Sequence, residues 1–434
     1  MLCAADNELL VRTNVGTPMG EYFRRFWHPI ALSREMAAPD SPPIRVKIMG
    51  EDLVAFRDSK RRVGLVEPQC AHRGANLFFG RNEDCGLRCV YHGWKYDVHG
   101  QCVDMPNVPV EAGYHGKVSI KAYPTHEFGD MVWAYLGPKD TSGDVPAAPP
   151  QLECGMVPAA HRYVSKRLVD CNWAHAMEGA LDTAHFSFLH MPAPGVQSNI
   201  NPASAADEDR LRWLRNDPLP QFVVREHDAG FVIGGSRKAD HDALYWRITQ
   251  FMLPAHSLTP AAMPGEVYFG YTWVPITDET CWIYVYGWHP DRSLTTEEIA
   301  QYEKGGYGQL AELGPGYVPV RNRANDYLID RNDQKHRSFT GIRGIAEQDQ
   351  MAWESQGRIL DRSKEKLSPT DVGIVHFRRA MLDGARALQA GQPPAAAANP
   401  AGYALRSGGA VASSKLSFEN MMLERFGSAT GRVL

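Results

Sequence analysis

The sequence has little cysteine and no marked excess of charge of either sign. Eight cysteines in 434 residues are too few for a disulfide framework, and a formal net charge of −4 provides no basic surface for nucleic acid. Apolar residues at 44% and charged residues at 22% are ordinary for a globular protein. We therefore expect a reducing compartment and no nucleic-acid partner.

Long apolar runs are also missing. No run approaches the roughly 20 residues that cross a bilayer, and residues 1–12 have neither the basic start nor the apolar core of a secretory signal. We expect a cytoplasmic location and no membrane partner. At 434 residues the chain exceeds the usual size of one hydrophobic core, which favours two domains.

The order of sequence patterns predicts an α+β protein with four segments. Residues 1–39 form a helical lead-in, and residues 40–145 are a small all-β domain of short strands broken by turn residues. Residues 146–390 alternate long β-type runs with helical patterns, which predicts an antiparallel sheet backed by helices. Residues 391–434, whose first half is rich in Ala, Pro and Gly, are expected to be a surface or loosely ordered tail.

The first candidate site lies in the small domain, where four of the cysteines are close together in sequence. Cys70 and His72 form a Cys-x-His loop, and Cys89 and His92 form a Cys-x2-His loop. Two facing loops of this kind could bind a [2Fe–2S] cluster with both thiolates on one iron and both imidazoles on the other. A structural zinc site from the same four residues is the alternative, but zinc sites usually open with Cys-x2-4-Cys.

The second candidate site lies in a segment with helical periodicity. Glu178, Asp182 and His185 stand four and three residues apart and would share one helix face. His190, five residues beyond His185, would point about 140° away in an unbroken helix. The helix must loosen or end before His190 if both imidazoles bind one ion.

Two imidazoles and one carboxylate form the facial triad of oxygen-activating non-haem Fe(II) enzymes. The carboxylate could be local, but Asp182 is better placed to accept the N–H of His185, which leaves a distant carboxylate as the third ligand. Asn172 and Glu178 are further candidate catalytic residues of the segment. The alternative is an amphipathic helix in which His185 is a core histidine and the carboxylates are solvated.

Together the two motifs resemble the oxygenase α-subunits of Rieske non-haem iron oxygenases, over nearly the whole chain and in the same order. The likeness is strongest to the phthalate 4,5-dioxygenase type. Besides the two motifs, it rests on residues 16–20, 82–89, 178–182, 325–331, 348–349 and 361–363. The resemblance implies a small all-β Rieske domain, a larger catalytic domain, a [2Fe–2S] Rieske cluster and a mononuclear Fe(II).

The resemblance also implies a third ligand to the mononuclear iron. In this family it is an aspartate far downstream on a C-terminal helix, and Asp349 in the Gln348-Asp349 pair matches it. Glu347 and Glu354 compete with Asp349 by proximity but match the family pattern less well.

Members of the phthalate type hold the carboxylates of the substrate with arginines, whose planar fork suits a planar carboxylate. The matching positions are Arg215 in Trp-Leu-Arg and Arg247 in Tyr-Trp-Arg-Ile-Thr, with the hydroxyl of Thr183 as a third candidate. The segment before Arg215 departs from the family in length and composition, so a surface arginine is the alternative for that position.

The expected function follows from the resemblance. The chain would be a terminal oxygenase that uses O2 to hydroxylate an aromatic carboxylate, most favourably by cis-dihydroxylation of phthalate or a close analogue. The alternatives are a monooxygenase or O-demethylase of a methoxylated aromatic acid and, from another class, a non-catalytic zinc-stabilised binding protein.

The partners also follow from the resemblance. The sequence has no dinucleotide fingerprint and no plant-type ferredoxin spacing. Electrons should therefore come from a separate NAD(P)H-dependent reductase with flavin and an iron–sulfur centre. A homotrimer or a hexamer of stacked trimers is implied, in which Asp182 bridges His92 of one subunit to His185 of the next.

Overall fold

The computed structural model describes residues 2–138, 148–193 and 205–433 and divides the chain into two compact units. Residues 13–149 form the smaller unit, and residues 1–12 with 150–434 form the larger. Helix α1 (Ala4–Val11) opens the larger unit.

The smaller unit is built from short antiparallel strands and one helix. Its elements are α2 (Pro18–Phe23), β1 (Trp27–Leu32), β2 (Ile44–Ile48), β3 (Glu51–Arg57), β4 (Val63–Val66), β5 (Arg81–Glu83), β6 (Gly86–Arg88), β7 (Lys95–Tyr96), β8 (Cys102–Asp104), β9 (Ala122–Tyr123), β10 (Thr125–Phe128) and β11 (Met131–Tyr135). Three sheets result, with the strand orders β1-β11-β10, β2-β3-β4-β9 and β5-β6-β7-β8.

The predicted helical lead-in at residues 1–39 is divided between the two units. Only α1 belongs to the larger unit, while α2 and β1 belong to the smaller one. All six residues of β1 are buried, and the strand pairs with β11. A fully buried strand lacks the polar–apolar alternation that marks a strand in sequence, so the sequence pattern does not distinguish it from a buried helix.

The larger unit is built on one antiparallel sheet. Its strands are β12 (Arg162–Val169), β13 (Gln221–His227), β14 (Gly230–Lys238), β15 (Ala243–Met252), β16 (His256–Leu258), β17 (Tyr268–Pro275), β18 (Cys281–Trp288) and β19 (Gly408–Ser413). Their order is β12-β18-β17-β16-β15-β14-β13, and β19 pairs with β15.

Helices flank this sheet, which confirms the predicted α+β class. They are α3 (Glu153–Met156), α4 (Trp173–Leu181), α5 (Ala205–Asn216), α6 (Thr296–Lys304), α7 (Arg331–His336), α8 (Ile345–Ser355), α9 (Val372–Gln389) and α10 (Phe418–Phe426). α4 packs between the sheet and α8 and α9. Gly179 of α4 makes the approach of α8 possible, because a Cβ at this position would collide with Trp353.

The structure differs from the expected loose tail at residues 391–434. β19 pairs with β15, and Phe418, Met421 and Met422 of α10 are buried against Trp246 on the sheet. The small residues Ala410 and Ala412 of β19 belong to the same buried cluster as α10. A strand of Gly and Ala has the same composition as a flexible segment. Composition alone therefore could not distinguish the two.

Within the described ranges, no helix is both long enough and apolar enough to cross a membrane.

Candidate metal centres

The Cys-x-His and Cys-x2-His motifs form two matching loops in the smaller unit, one after β4 and one after β6. In each loop a glycine N–H donates to the carbonyl of the cysteine four residues earlier, Gly74 to Cys70 over 2.8 Å and Gly93 to Cys89 over 3.0 Å. The two glycines have φ of +73° and +79°, a conformation that other residues rarely adopt. The turn geometry therefore explains both glycines of the motifs.

The four side chains of the two loops converge. Cys70 and Cys89 are buried, and the rings of His72 and His92 lie 4.4 Å apart at their centroids. His72 Nδ1 is buried without a hydrogen-bond partner. Burial raises the pKa of the Cys89 thiol, and neighbouring Cys70 adds to the effect. Two close sulfurs and an orphaned imidazole nitrogen fit a bound metal cluster.

Aromatic residues support the cluster site. Trp94 stacks on His72 with 4.5 Å between ring centroids. Tyr96 Oη lies 3.2 Å from Cys70 Sγ and accepts the Ala71 N–H over 3.1 Å. With Cys70 as a thiolate ligand, the Tyr96 hydroxyl is the donor to sulfur.

The second site begins where α4 ends. The helix stops at Leu181, Asp182 caps it, and His185 opens a separate 3-10 turn (His185–Ser187). The helix thus ends before His190, as the spacing required. It also ends before His185, so the helix face expected for Glu178, Asp182 and His185 is not formed.

The break brings two histidines to a carboxylate on α8. His185 Nε2 and His190 Nε2 lie 3.1 Å apart, and Asp349 Oδ1 lies 3.1 Å from His190 Nε2 and 3.6 Å from His185 Nε2. The ligand atoms of these three residues all lie within 4.8 Å of one another, so they could hold one metal ion.

Hydrogen bonds determine which ring nitrogen of His185 and of His190 faces Asp349. Gln348 donates through Nε2 to the Ile342 carbonyl over 2.8 Å, so its Oε1 accepts from His190 Nδ1 over 2.7 Å. Asp182 Oδ2 lies 3.5 Å from His185 Nδ1. Both Nδ1 atoms are therefore protonated, and both Nε2 atoms present lone pairs.

Three lone-pair donors facing one another repel unless a cation lies between them. Asp349 Oδ1 is buried and has no hydrogen-bond partner, which is the state of a ligand atom. Burial by itself raises the pKa of Asp182, but its interactions with His185 outweigh burial, and the pKa is lowered. The residues fit a divalent metal with two imidazoles and one carboxylate.

The competing glutamates are engaged elsewhere. Glu354 accepts the Tyr327 O–H over 2.6 Å and the Asp170 N–H over 2.8 Å. Glu347 accepts the Glu312 N–H over 3.0 Å. Neither belongs to the group formed with the two histidines.

The structure gives Asn172 and Glu178 anchoring contacts instead of the expected catalytic positions. Asn172 caps α4 and donates to the carbonyls of Val11 and Asp278 over 2.9 and 2.7 Å. Glu178 accepts from Arg362 and Arg378 in a buried ion-pair network. Because the polar groups of both residues serve these contacts, they hold α4 in place.

Of the two predicted substrate arginines, only Arg247 lies beside the histidine–aspartate group. Arg247 Nε donates to Thr183 Oγ1 over 2.8 Å, and its guanidinium lies 3.9 Å from the centre of the Phe186 ring. Thr183 stands next to Asp182 and two residues before His185. Arg215 is exposed near the end of α5. This position agrees with the alternative that Arg215 is a surface arginine.

Arg237 on β14 is a site residue that the sequence interpretation missed. It donates from Nη2 to the Thr183 carbonyl over 2.8 Å and is buried. Gly235 of β14 pairs with Arg247 of β15. Arg237 lies two residues after Gly235, so its side chain is on the same face of the sheet as that of Arg247. A Cβ at Gly235 would lie 2.8 Å from Thr183 Cγ2, so the glycine admits the threonine. A basic residue at an inward-facing strand position was the available signal.

Two family descriptions match the chain. The Rieske [2Fe-2S] domain matches residues 26–124, and the LigXa C-terminal domain matches residues 134–417. Together they span most of the sequence.

Characterised relatives match along almost their full length. The phthalate 4,5-dioxygenase oxygenase subunit of Pseudomonas putida is 39% identical over 90% of this chain and 88% of its own length. The 3-chlorobenzoate-3,4-dioxygenase oxygenase subunit of Comamonas testosteroni is 35% identical over 90% of both chains. The 5,5'-dehydrodivanillate O-demethylase oxygenase subunit of a Sphingobium strain is 31% identical over 91% of this chain and 83% of its own.

Among solved structures, dicamba monooxygenase bound to dicamba has the same fold. The TM-score is 0.57 with 17% identity, and the match covers 86% of this chain and all of that one.

Proposed function

This chain belongs to the Rieske non-haem iron oxygenases, and on that basis we propose that it hydroxylates an aromatic carboxylate, most favourably by cis-dihydroxylation of phthalate or a close analogue. The observation that carries the substrate class is Arg247, a buried cation beside the histidine–aspartate group with Nη2 free of hydrogen bonds. A carboxylate is the ligand that such a guanidinium prefers. The relatives described above are oxygenase subunits, which argues against the zinc-stabilised binding protein.

The chain uses a Rieske [2Fe–2S] cluster and a mononuclear iron. We assign the ligands as follows: Cys70, Cys89, His72 and His92 for the cluster, and His185, His190 and Asp349 for the iron. We keep the boundary at residues 145/146 as our proposal for the division between the small and the larger domain, whereas the expected divisions at 39/40 and 390/391 do not separate compact units.

When bound, the iron supplies an open site for dioxygen, and the cluster supplies electrons. The residues of the chain then do the positioning. Arg247 and Thr183 hold the carboxylate of the ring, while Asp182 and Gln348 keep the two histidine rings in place. Dihydroxylation adds O2, two electrons and two protons to the ring and yields a cis-dihydrodiol.

Electrons come from a separate reductase, which we propose to be NAD(P)H-dependent with flavin and an iron–sulfur centre. We further propose a cytoplasmic homotrimer or stacked-trimer hexamer in which Asp182 bridges two subunits. Exposed aromatic residues support such an assembly: Tyr91 is 55% exposed beside His92, and Phe188 is 52% exposed beside the iron loop. Apolar surface of this kind commonly marks a protein interface.

The second candidate function is O-demethylation of a methoxylated aromatic acid. The 31% identity to an O-demethylase oxygenase subunit favours it, and the same iron site serves both reactions.

Reconstitution with a reductase tests the proposal. The metal-loaded protein is supplied with NADH, oxygen and a panel of benzene carboxylates and methoxybenzoates, and products are identified by mass spectrometry. We expect a dihydrodiol from an aromatic acid. Formaldehyde with a phenolic acid would instead establish the demethylase, and product from neither class would reject the proposed substrate class.

A further inference from the structure

Residues 325–331 belong to neither group of candidate metal ligands, although they carry part of the sequence resemblance. They overlap the 3-10 segment Arg323–Leu328. Asp326, Tyr327 and Leu328 have φ of +49°, +54° and +48°, so three residues in succession are left-handed and none is glycine. L side chains rarely adopt this conformation, and a strained turn persists only where surrounding contacts hold it. The contacts of this turn therefore indicate what it does.

The buried side chain of Tyr327 anchors the turn to α8. Its hydroxyl donates to Glu354 Oε2 over 2.6 Å, and the residue is buried between two exposed neighbours, Asp326 and Leu328. Burial and then the hydrogen bond to Glu354 raise the pKa of Tyr327, so the hydroxyl keeps its proton and donates. Arg323 adds a second link, from Nη2 to the Glu354 carbonyl over 2.6 Å. Two side chains of one strained segment thus bind the last turn of α8.

The carboxylate of Glu354 joins this turn to two further groups. Its Oε1 accepts from Gln350 Nε2 over 2.7 Å and from the Asp170 N–H over 2.8 Å. Gln350 Nε2 also donates to the Leu168 carbonyl over 3.2 Å. Leu168 lies in β12, and Asp170 follows that strand where the chain leads into α4. The hydrogen bonds therefore fix α8 against the segment that precedes α4.

The two helices fixed in this way carry the proposed iron ligands. Asp349 precedes Gln350 on α8, whereas His185 and His190 follow the end of α4. A rotation or shift of α8 would move the Asp349 carboxylate relative to the two imidazoles. Binding sites of this kind must be held to within about 0.5 Å.

We propose that Tyr327 is a positioning residue, which holds α8 through Glu354 and so sets the place of the Asp349 carboxylate in the iron site. This inference rests on the proposed iron ligands. The left-handed turn directs one side chain inward between two exposed ones, and that side chain supplies the donor to Glu354. The strain of the turn is thus balanced by the contact that orders α8.

Tyr123 provides a matched control in the smaller unit. Like Tyr327, it is a buried tyrosine whose hydroxyl donates to a glutamate, here Glu51 Oε1 over 2.7 Å. Tyr123→Phe and Tyr327→Phe therefore remove the same kind of hydrogen bond and should destabilise the protein by similar amounts, as measured by urea unfolding. Of the two tyrosines, only Tyr327 is hydrogen-bonded to α8.

The test compares iron binding and iron-site geometry in the full-length protein with its cluster intact. Iron affinity is measured against a graded chelator series, and the geometry is followed by electron paramagnetic resonance of the ferrous protein with nitric oxide. We expect Tyr327→Phe to weaken iron binding about 3- to 10-fold, less than the roughly 10- to 100-fold of a group that touches a ligand. The nitrosyl signal should also change in Tyr327→Phe, and Tyr123→Phe should match wild type in both measurements.

Glu354→Gln changes the same chain of hydrogen bonds one step nearer to Asp349, so it should weaken iron binding at least as much. It also decides the question if Tyr327→Phe does not fold, as judged by circular dichroism. Wild-type affinity and nitrosyl signal in either folded variant, or equal weakening in Tyr123→Phe, would overturn the positioning role. If wild type itself gives no nitrosyl signal, the proposed iron site fails, and the inference fails with it.

Discussion

A single amide fixes the orientation of His190, one of the residues that we propose as iron ligands. Gln348 uses its N–H2 for the Ile342 carbonyl and its oxygen for His190, which leaves the other imidazole nitrogen free to bind the metal. The adjacent residue, Asp349, supplies the carboxylate. Consecutive residues of α8 therefore provide one proposed ligand, Asp349, and the hydrogen bond that orients another, His190.

Replacing Gln348 by leucine should weaken iron binding about 10- to 100-fold, because His190 loses the acceptor that fixes its ring and tautomer. The measurement is the iron retained against a graded chelator series. Gln356→Leu, an exposed position at the end of the same helix, is the control. Retention equal to wild type in Gln348→Leu would contradict the role assigned to the amide.

Tyr96 Oη lies 3.2 Å from the sulfur of Cys70, a proposed cluster ligand, and its hydroxyl is the donor when Cys70 is a thiolate. Removing the donor in Tyr96→Phe should lower the reduction potential, since the bond stabilises the more negative reduced state. A loss of about 1 kcal/mol corresponds to roughly 40 mV for one electron. A redox titration followed by electron paramagnetic resonance measures the change. Tyr114→Phe is the control, because Tyr114 is an exposed tyrosine of the same unit that contacts the ring of Trp94. An unchanged potential in Tyr96→Phe would show that its hydroxyl does not act on the sulfur.

At the scale of elements, the iron site depends on how α4 is held. Asn172 fixes the start of the helix, and Glu178 ties its middle to Arg362 and to Arg378 of α9. The termination at Leu181 then frees the next residues to turn toward α8. The two residues that sequence spacing suggested as catalytic thus act on the site through the helix.

Glu178→Gln should lower the free energy of unfolding by about 3 kcal/mol at pH 7, because two buried arginines lose their shared carboxylate. Burial by itself raises the pKa of Glu178, but Arg362 and Arg378 outweigh burial and lower the pKa below its ordinary value of 4.5. A lowered folded-state pKa gives stability that is present above pH 4.5 and is lost as the pH falls below it.

Urea unfolding at pH 7 and in steps below pH 4.5 tests this account. The difference between wild type and Glu178→Gln should narrow toward acid. Glu297→Gln, an exposed carboxylate on α6, should behave as wild type. A difference that stays constant or widens at low pH would contradict the buried ion-pair network.

Sequence spacing located the two groups of candidate ligands but not their surroundings. The two loops and the histidine pair are local patterns, and the side chains of each group lie close together in the structure. Arg237 and the contacts of Glu178 depend on strand register and on helices distant in sequence, so no local pattern shows them. Strand prediction relies on the alternation of polar and apolar residues. β1 lacks this alternation because it is buried on both faces, and β19 lacks it because its residues are small.

At the scale of the whole molecule, the account requires both metal centres to work together. Asp182 is 25% exposed and lies 3.5 Å from the ring of His185, so one carboxylate can face a neighbouring subunit while it supports the iron ligand. Its proposed partner, His92, is partly exposed beside Tyr91.

Asp182→Asn should retain both metals and lose most product formation, since the amide keeps the shape but not the charge of the bridge. Iron and acid-labile sulfide are measured per chain, together with product formed per oxygen consumed. Asp209→Asn, on the surface of α5, is the control. Normal coupled turnover in Asp182→Asn would refute the bridging role.

The most direct test of the central claim is a single turnover. The purified protein, loaded with its cluster and iron, is chemically reduced, and ¹⁸O2 is admitted in the presence of phthalate. The account predicts about one cis-dihydrodiol per active site at most, with both oxygen atoms labelled. Reoxidation without any hydroxylated product from phthalate or another aromatic acid would contradict it.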